Sequence, residues 1–125
     1  MANSPILSKL LYLITMDSEA AQQKIQEMVR RIVTGFRPDK VVLFGSYARG
    51  TAGPDSDVDL LVIMPVTGSK RELRLEIRLA LLGLGIAKDI LVSTPEDYER
   101  YRHVAGTIER AAFREGKVLY EQHAA

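Results

Sequence analysis

The stretch Val41–Met64, VVLFGSYARGTAGPDSDVDLLVIM, decides how the rest of the chain is read. It opens on an apolar run, turns at Gly45-Ser46, passes a short basic segment and a loop, and closes on a second apolar run headed by Asp57 and Asp59. Consecutive apolar residues predict strands buried on both faces. Residues two apart on a strand point the same way, so Asp57 and Asp59 are expected to project side by side from one strand end. Two carboxylates that close repel each other and resist ionisation. A positive group between them relieves this, and an oxygen-liganded divalent cation such as Mg²⁺ suits the donor type.

Working outward, Lys40–Phe44 is the first predicted strand and Val58–Met64 a central one, ended by Pro65. Upstream, Ile6, Leu7, Leu10, Leu11, Leu13 and Ile14 recur at helical spacing and predict a short helix over 5–15. Asp17 and Ser18 are good N-cap types for a second helix, with Ile25, Met28, Val29, Ile32 and Val33 on its apolar face and Gly35 and Pro38 ending it.

Downstream, residues 69–84 alternate like a strand at Leu73, Leu75, Ile77 and Leu79. The Ser69-to-Glu72 capping box, the richness in Leu, Arg and Glu, and the need for a crossover favour a helix. Its wheel carries one stripe of Leu73, Ile77, Ala80, Leu81 and Leu84, and a nearly opposite one of Leu75, Leu79 and Leu82. The second stripe reads either as a face covered by its own domain or as a protein contact. Lys70, Arg71 and Arg74 read as a solvated face of this helix in preference to a triphosphate contact.

Ile86–Val92 is the third predicted strand, and Asp89 breaks its apolar run, as functional residues do. Thr94-Pro95-Glu96-Asp97 starts a helix, another covers Thr107–Glu115, and Val118–Tyr120 forms a short edge strand. These elements predict an α/β (α+β) domain with a mixed central sheet and helices packed mainly on one side.

Bulk properties narrow the function classes. The 125 residues suit one domain, and 46% apolar with 26% charged residues is ordinary globular composition. A net charge of +1 gives no global attraction for nucleic acid. The absence of cysteine excludes thiolate metal sites and cysteine nucleophiles and suits a cytoplasmic location. No run reaches the roughly 20 apolar residues of a membrane helix, and no basic segment precedes Ile6–Met16 as in a signal peptide.

Gly45-Ser46, Arg49-Gly50 and Ser56-Asp57-Val58-Asp59-Leu60, in that order and spacing, resemble the nucleotidyltransferase superfamily related to DNA polymerase beta, and the small size resembles its minimal branch. Thr94–Asp97 and Gly106–Tyr120 extend the resemblance to residues 18–121, leaving 1–17 as a helical extension and 122–125 as a tail. The resemblance implies Mg²⁺ (or Mn²⁺) held by Asp57, Asp59 and Asp89, with ATP as donor. Asp89 is then a metal ligand or the base for the acceptor hydroxyl. Gly45 and Ser46 would hold the triphosphate. Arg49 would bind triphosphate or pair with Asp55 or Asp57.

The implied reaction is transfer of a nucleoside monophosphate, AMP from ATP, to a hydroxyl of a partner protein, as antitoxins of this branch do to HEPN-domain partners. The alternatives are a module that neutralises a HEPN-like partner by contact, and a small-molecule nucleotidyltransferase. Residues 73–84 are the expected surface for such a partner or for a homo-oligomer. His103, His123, Tyr98, Tyr101 and Tyr120 read as structural or surface residues, and Tyr47 lies near the site.

Overall fold

The computed structural model describes the backbone of residues 5–123 and the side chains of residues 19–123. Helix α1 (Pro5–Phe36) leads into strand β1 (Lys40–Phe44) and a single helical turn, α2 (Ser46–Arg49). Strand β2 (Val58–Ile63), helix α3 (Lys70–Ala80) and strand β3 (Lys88–Ser93) follow. Helices α4 (Pro95–Tyr101) and α5 (Ile108–Glu115) and strand β4 (Lys117–Glu121) complete the chain.

The four strands form one mixed sheet in the order β3-β2-β1-β4. β1 pairs antiparallel with both β2 and β4, whereas β2 and β3 are parallel. The parallel pair requires a crossover, which α3 supplies. One face of the sheet presents Val41, Leu43, Val58, Leu60, Val62 and Ile90 to Ile25, Met28 and Ile32 of α1 and to Ile77 and Leu81. The other presents Val42, Phe44, Leu61 and Ile63 to Tyr98 of α4 and Ala112 of α5. The larger share of helix thus lies on one face, and two short helices close the other.

Two expectations about the helices change. The short helix over 5–15 and the one expected to start at Asp17-Ser18 are a single continuous α1 of 32 residues. A cap contributes only about 1 kcal/mol, and Asp and Ser inside a helix cost less than about 0.7 kcal/mol each. With no Gly or Pro between Ile6 and Thr34, nothing forces the chain out of the helix. The apolar side chains from Ile6 to Ile14 and residues 124–125 of the tail lie outside the described residues. At the other end Gly35 stays inside the helix, and Arg37 takes the left-handed turn (φ 50°) before Pro38.

The strand-like alternation over Leu73–Leu79 is overridden. Ser69 Oγ accepts a 3.0 Å hydrogen bond from the Glu72 amide, as the capping box requires, and α3 follows. Ile77 and Leu81 of the first stripe are fully buried, with Leu73 and Leu84 half-buried, while Ala80 is exposed. The second stripe is not covered by the domain: Leu75, Leu79 and Leu82 are 58%, 57% and 65% exposed. Thr94 and Thr107 cap α4 and α5 by accepting from the amides of Asp97 and Arg110. Strand β3 begins two residues later than Ile86 and ends at Ser93.

Candidate active site

The sheet sets the spacing of the acids. Asp59 is the second residue of β2 and Asp89 the second of β3, and the two are direct partners in the parallel register. In-register neighbours on adjacent strands share a face. Asp59 lies between buried Val58 and Leu60, so it points away from the face that α1 and α3 cover, and Asp89 does the same beside buried Ile90. Asp57 sits in the exposed loop immediately before β2, not in the strand itself.

The electrostatics report the crowding. The Asp59 carboxyl is pushed above the ordinary carboxylate range, first by burial and then by the negative charges of Asp89 and Asp57, with Arg49 pulling the other way. The three sequence-predicted acids are therefore brought into one neighbourhood.

Gly45 completes the wall. It follows β1 as the residue before α2, with φ 73° and ψ −155°, and Phe44 is paired with Asp59. A Cβ built on Gly45 would lie 2.1 Å from Asp59 Oδ2, so only glycine leaves room for the carboxylate. Ser46 starts α2 and is half-buried beside it.

The cations arrange themselves differently from the expectation. Arg49 pairs with neither Asp55 nor Asp57: its Nη1 donates to Glu115 Oε1 at 3.2 Å, tying α2 to the end of α5. Arg74, expected on a solvated helix face, places Nη2 3.6 Å from Asp89 Oδ1. It reaches from α3 past β3, the edge strand, to an acid on the opposite face. A helical wheel carries no signal for such a reach; the one sequence cue was an acid, Asp89, inside a largely apolar strand. Lys70 donates to Asp97 Oδ2 at 2.5 Å and so joins the starts of α3 and α4.

Among the described residues no group of three or more His, Cys, Asp or Glu side chains is closed up to hold a metal ion. The chemistry of the donor set still suits one: three carboxylates, two of them in register, raise each other's charge cost, and oxygen donors of this kind favour Mg²⁺ or Mn²⁺. A depression of about 180 Å³ elsewhere is lined by Met64, Thr67, Ser69, Glu72 and Glu76. It contains none of the aspartates, and its two acids would repel a triphosphate.

The family model described as "Nucleotidyltransferase domain" matches residues 23–122. The chain belongs to this nucleotidyltransferase family. A Methanocaldococcus jannaschii protein provisionally named a protein adenylyltransferase is 31% identical over 101 residues, covering 79% of this chain and 97% of the relative. A crystal structure provisionally described as a nucleotidyltransferase, from Sulfolobus solfataricus, superposes with a TM-score of 0.55 at 18% identity, covering 82% of this chain and 87% of the other. A second, the crystal structure of a toxin-antitoxin with AMP-PNP, gives a TM-score of 0.51 at 24% identity over 80% of this chain and 73% of the other. At these identities the two structures share the fold.

As a nucleotidyltransferase, the protein performs a reaction whose demands are positioning and charge neutralisation. Its acids, the glycine that accommodates one of them and the adjoining Ser46 sit at one end of the sheet. No helix among the described residues is long and apolar enough to cross a membrane.

Proposed function

We propose that this nucleotidyltransferase moves AMP from ATP to a hydroxyl of a partner protein, in the manner of an antitoxin. The observation that carries the reading is the in-register pair Asp59–Asp89, with Asp57 close enough to raise the Asp59 carboxyl. Gly45 and Ser46 adjoin that pair and are assigned to the triphosphate. Asp57, Asp59 and Asp89 are assigned to divalent cations, Mg²⁺ in the first instance, which supply charge neutralisation for in-line displacement at phosphorus. The acceptor oxygen forms a bond to the α-phosphorus, the bond from that phosphorus to the bridging oxygen breaks, and pyrophosphate leaves with the electron pair. Asp89 is assigned either to hold the cation or to take the hydroxyl proton.

The protein acceptor is supported by the M. jannaschii relative's name and by the exposed Leu75, Leu79 and Leu82, a surface that fits a HEPN-domain partner or another copy of the chain. That leucine face also supports a second reading, neutralisation of the partner by contact alone. We assign residues 18–121 to the catalytic domain and 1–17 to an N-terminal extension, with the protein in the cytoplasm.

Incubation with α-labelled ATP and Mg²⁺, with and without a HEPN-domain partner protein, separates the readings. Label on the partner that is lost in Asp57→Asn and Asp59→Asn supports transfer. A partner that is inhibited yet unlabelled supports contact alone.

A further inference from the structure

Arg74 is, among the described residues, the one cation within ion-pair distance of any of the three aspartates. Arg49 is committed to Glu115. We propose that Arg74 is a tethered counter-ion of Asp89 that competes with a divalent cation, so that this arginine sets how tightly the site takes up metal. The inference rests on the metal reading of the three aspartates.

The geometry supports displacement by side-chain rotation, with the helix staying in place. α3 is staked at both ends. Lys70 is bound to Asp97 at its start. At its end Arg31 Nη1 donates to the carbonyls of Ala80 and Leu82 at 3.2 and 3.0 Å. Ile77 and Leu81 are fully buried between these points. Arg74 and Asp89 are each 41% exposed, so the guanidinium can swing into solvent at small cost.

The carboxylate oxygen is the contested atom. A hard cation takes oxygen ligands for their negative charge, and a guanidinium 3.6 Å from Asp89 Oδ1 competes with a metal for that charge. Three formal negative charges balanced by one contacting cation leave a site that attracts metal, yet less strongly than the acids alone would. An exposed pair of this kind is worth no more than about five-fold in an equilibrium constant. The predicted consequence is a raised threshold for bare metal.

The test is Mn²⁺ binding to the full chain without nucleotide, read by electron paramagnetic resonance of the free ion, with thermal melts confirming that each variant is folded. Arg74→Gln is expected to tighten Mn²⁺ binding about three- to five-fold. Arg74→Lys is expected to stay near wild type, since it retains the charge. Arg71→Gln removes the same charge from an exposed position on the same helix that pairs with none of the three aspartates, and is expected to change affinity less than two-fold by the same screening. Tightening confined to Arg74→Gln upholds the proposal. Arg74→Gln binding no tighter than wild type, or no tighter than Arg71→Gln, overturns it. Wild-type binding that is lost in Asp59→Asn but indifferent to Arg74 removes the counter-ion alone. A wild type that binds no Mn²⁺ removes the metal reading and the counter-ion with it.

Discussion

Gly45 and Asp59 share one volume: the place where a Cβ of residue 45 would stand is 2.1 Å from Asp59 Oδ2. Gly45→Ala therefore has two costs. The backbone holds φ 73° and ψ −155°, a region essentially confined to glycine that costs a side-chain-bearing residue about 1–3 kcal/mol. The methyl also drives the Asp59 carboxylate out of its position opposite Asp89. The expected outcome is a folded protein whose nucleotidyl transfer falls at least ten-fold, in keeping with the sensitivity of positioned groups to shifts of about 1 Å. A steady-state assay paired with a thermal melt checks it. Wild-type turnover in Gly45→Ala would show that the site tolerates a displaced Asp59.

The two leucine-rich sides of α3 make opposite predictions. Ile77 is fully buried between the sheet and α1, so Ile77→Ala is expected to lower stability by about 2–5 kcal/mol. Leu79 is 57% exposed, so Leu79→Ala is expected to change stability by about 0.5 kcal/mol or less. Urea titration measures both. If the exposed face docks a protein, Leu75→Asp combined with Leu79→Asp abolishes association in a pull-down with a HEPN-domain protein or a differently tagged copy of the chain, while leaving the urea midpoint of the isolated chain nearly unchanged.

These contrasts show what the sequence disclosed and why it stopped there. β1 and β2 were legible because the apolar runs Val41–Phe44 and Leu60–Met64 are too short for helices and are bounded by Gly45 and Pro65. Ser69, Thr94 and Thr107 were legible as helix starts because a cap is a contact over three residues. The continuity of α1 was not, because Asp17 and Ser18 favour a cap locally and only the missing breaker on either side favours the helix. The convergence of Asp89 with Asp59 came from the family resemblance alone; their direct register depends on β3 starting at Lys88 and not at Ile86, which makes each acid the second residue of its strand. Arg49–Glu115 joins residues 66 apart, and Arg74–Asp89 depends on a side chain passing round a sheet edge. Neither contact leaves a periodic trace.

The Lys70–Asp97 bridge gives stability a pH dependence. The Asp97 carboxyl is held below its ordinary range, first by the hydrogen bond from Lys70, with the Lys70 and Arg100 charges and the Thr94 hydrogen bond adding to it, and partly opposed by burial. A group whose folded value is depressed binds protons more readily when unfolded. Its stabilisation is present above the unfolded value and is lost as pH falls through the folded one. The urea midpoint of wild type is therefore expected to exceed that of Asp97→Asn at pH 7. The gap then closes as the pH is lowered past about 4, the ordinary aspartate value. A gap that persists in strong acid would mean that Asp97 acts through its uncharged contacts.

Gly116 is a second position where a neighbour fills the space a side chain would take. It ends α5 with an ordinary negative φ of −79°, so backbone strain is not the reason for glycine. A Cβ here would lie 2.2 Å from the carbonyl oxygen of Ala112 and 2.5 Å from Cγ1 of Val42. The first contact is helix backbone, which cannot move without shifting α5, and the second is a side-chain methyl of buried Val42. Overpacking of this sort costs about 1–3 kcal/mol. Gly116→Ala is expected to lower the urea midpoint by a corresponding amount. Val42→Ala in the same chain relieves only the second contact, so the double variant is expected to recover at most part of the loss. Full recovery would locate the whole clash at Val42 and leave the Ala112 carbonyl without a role.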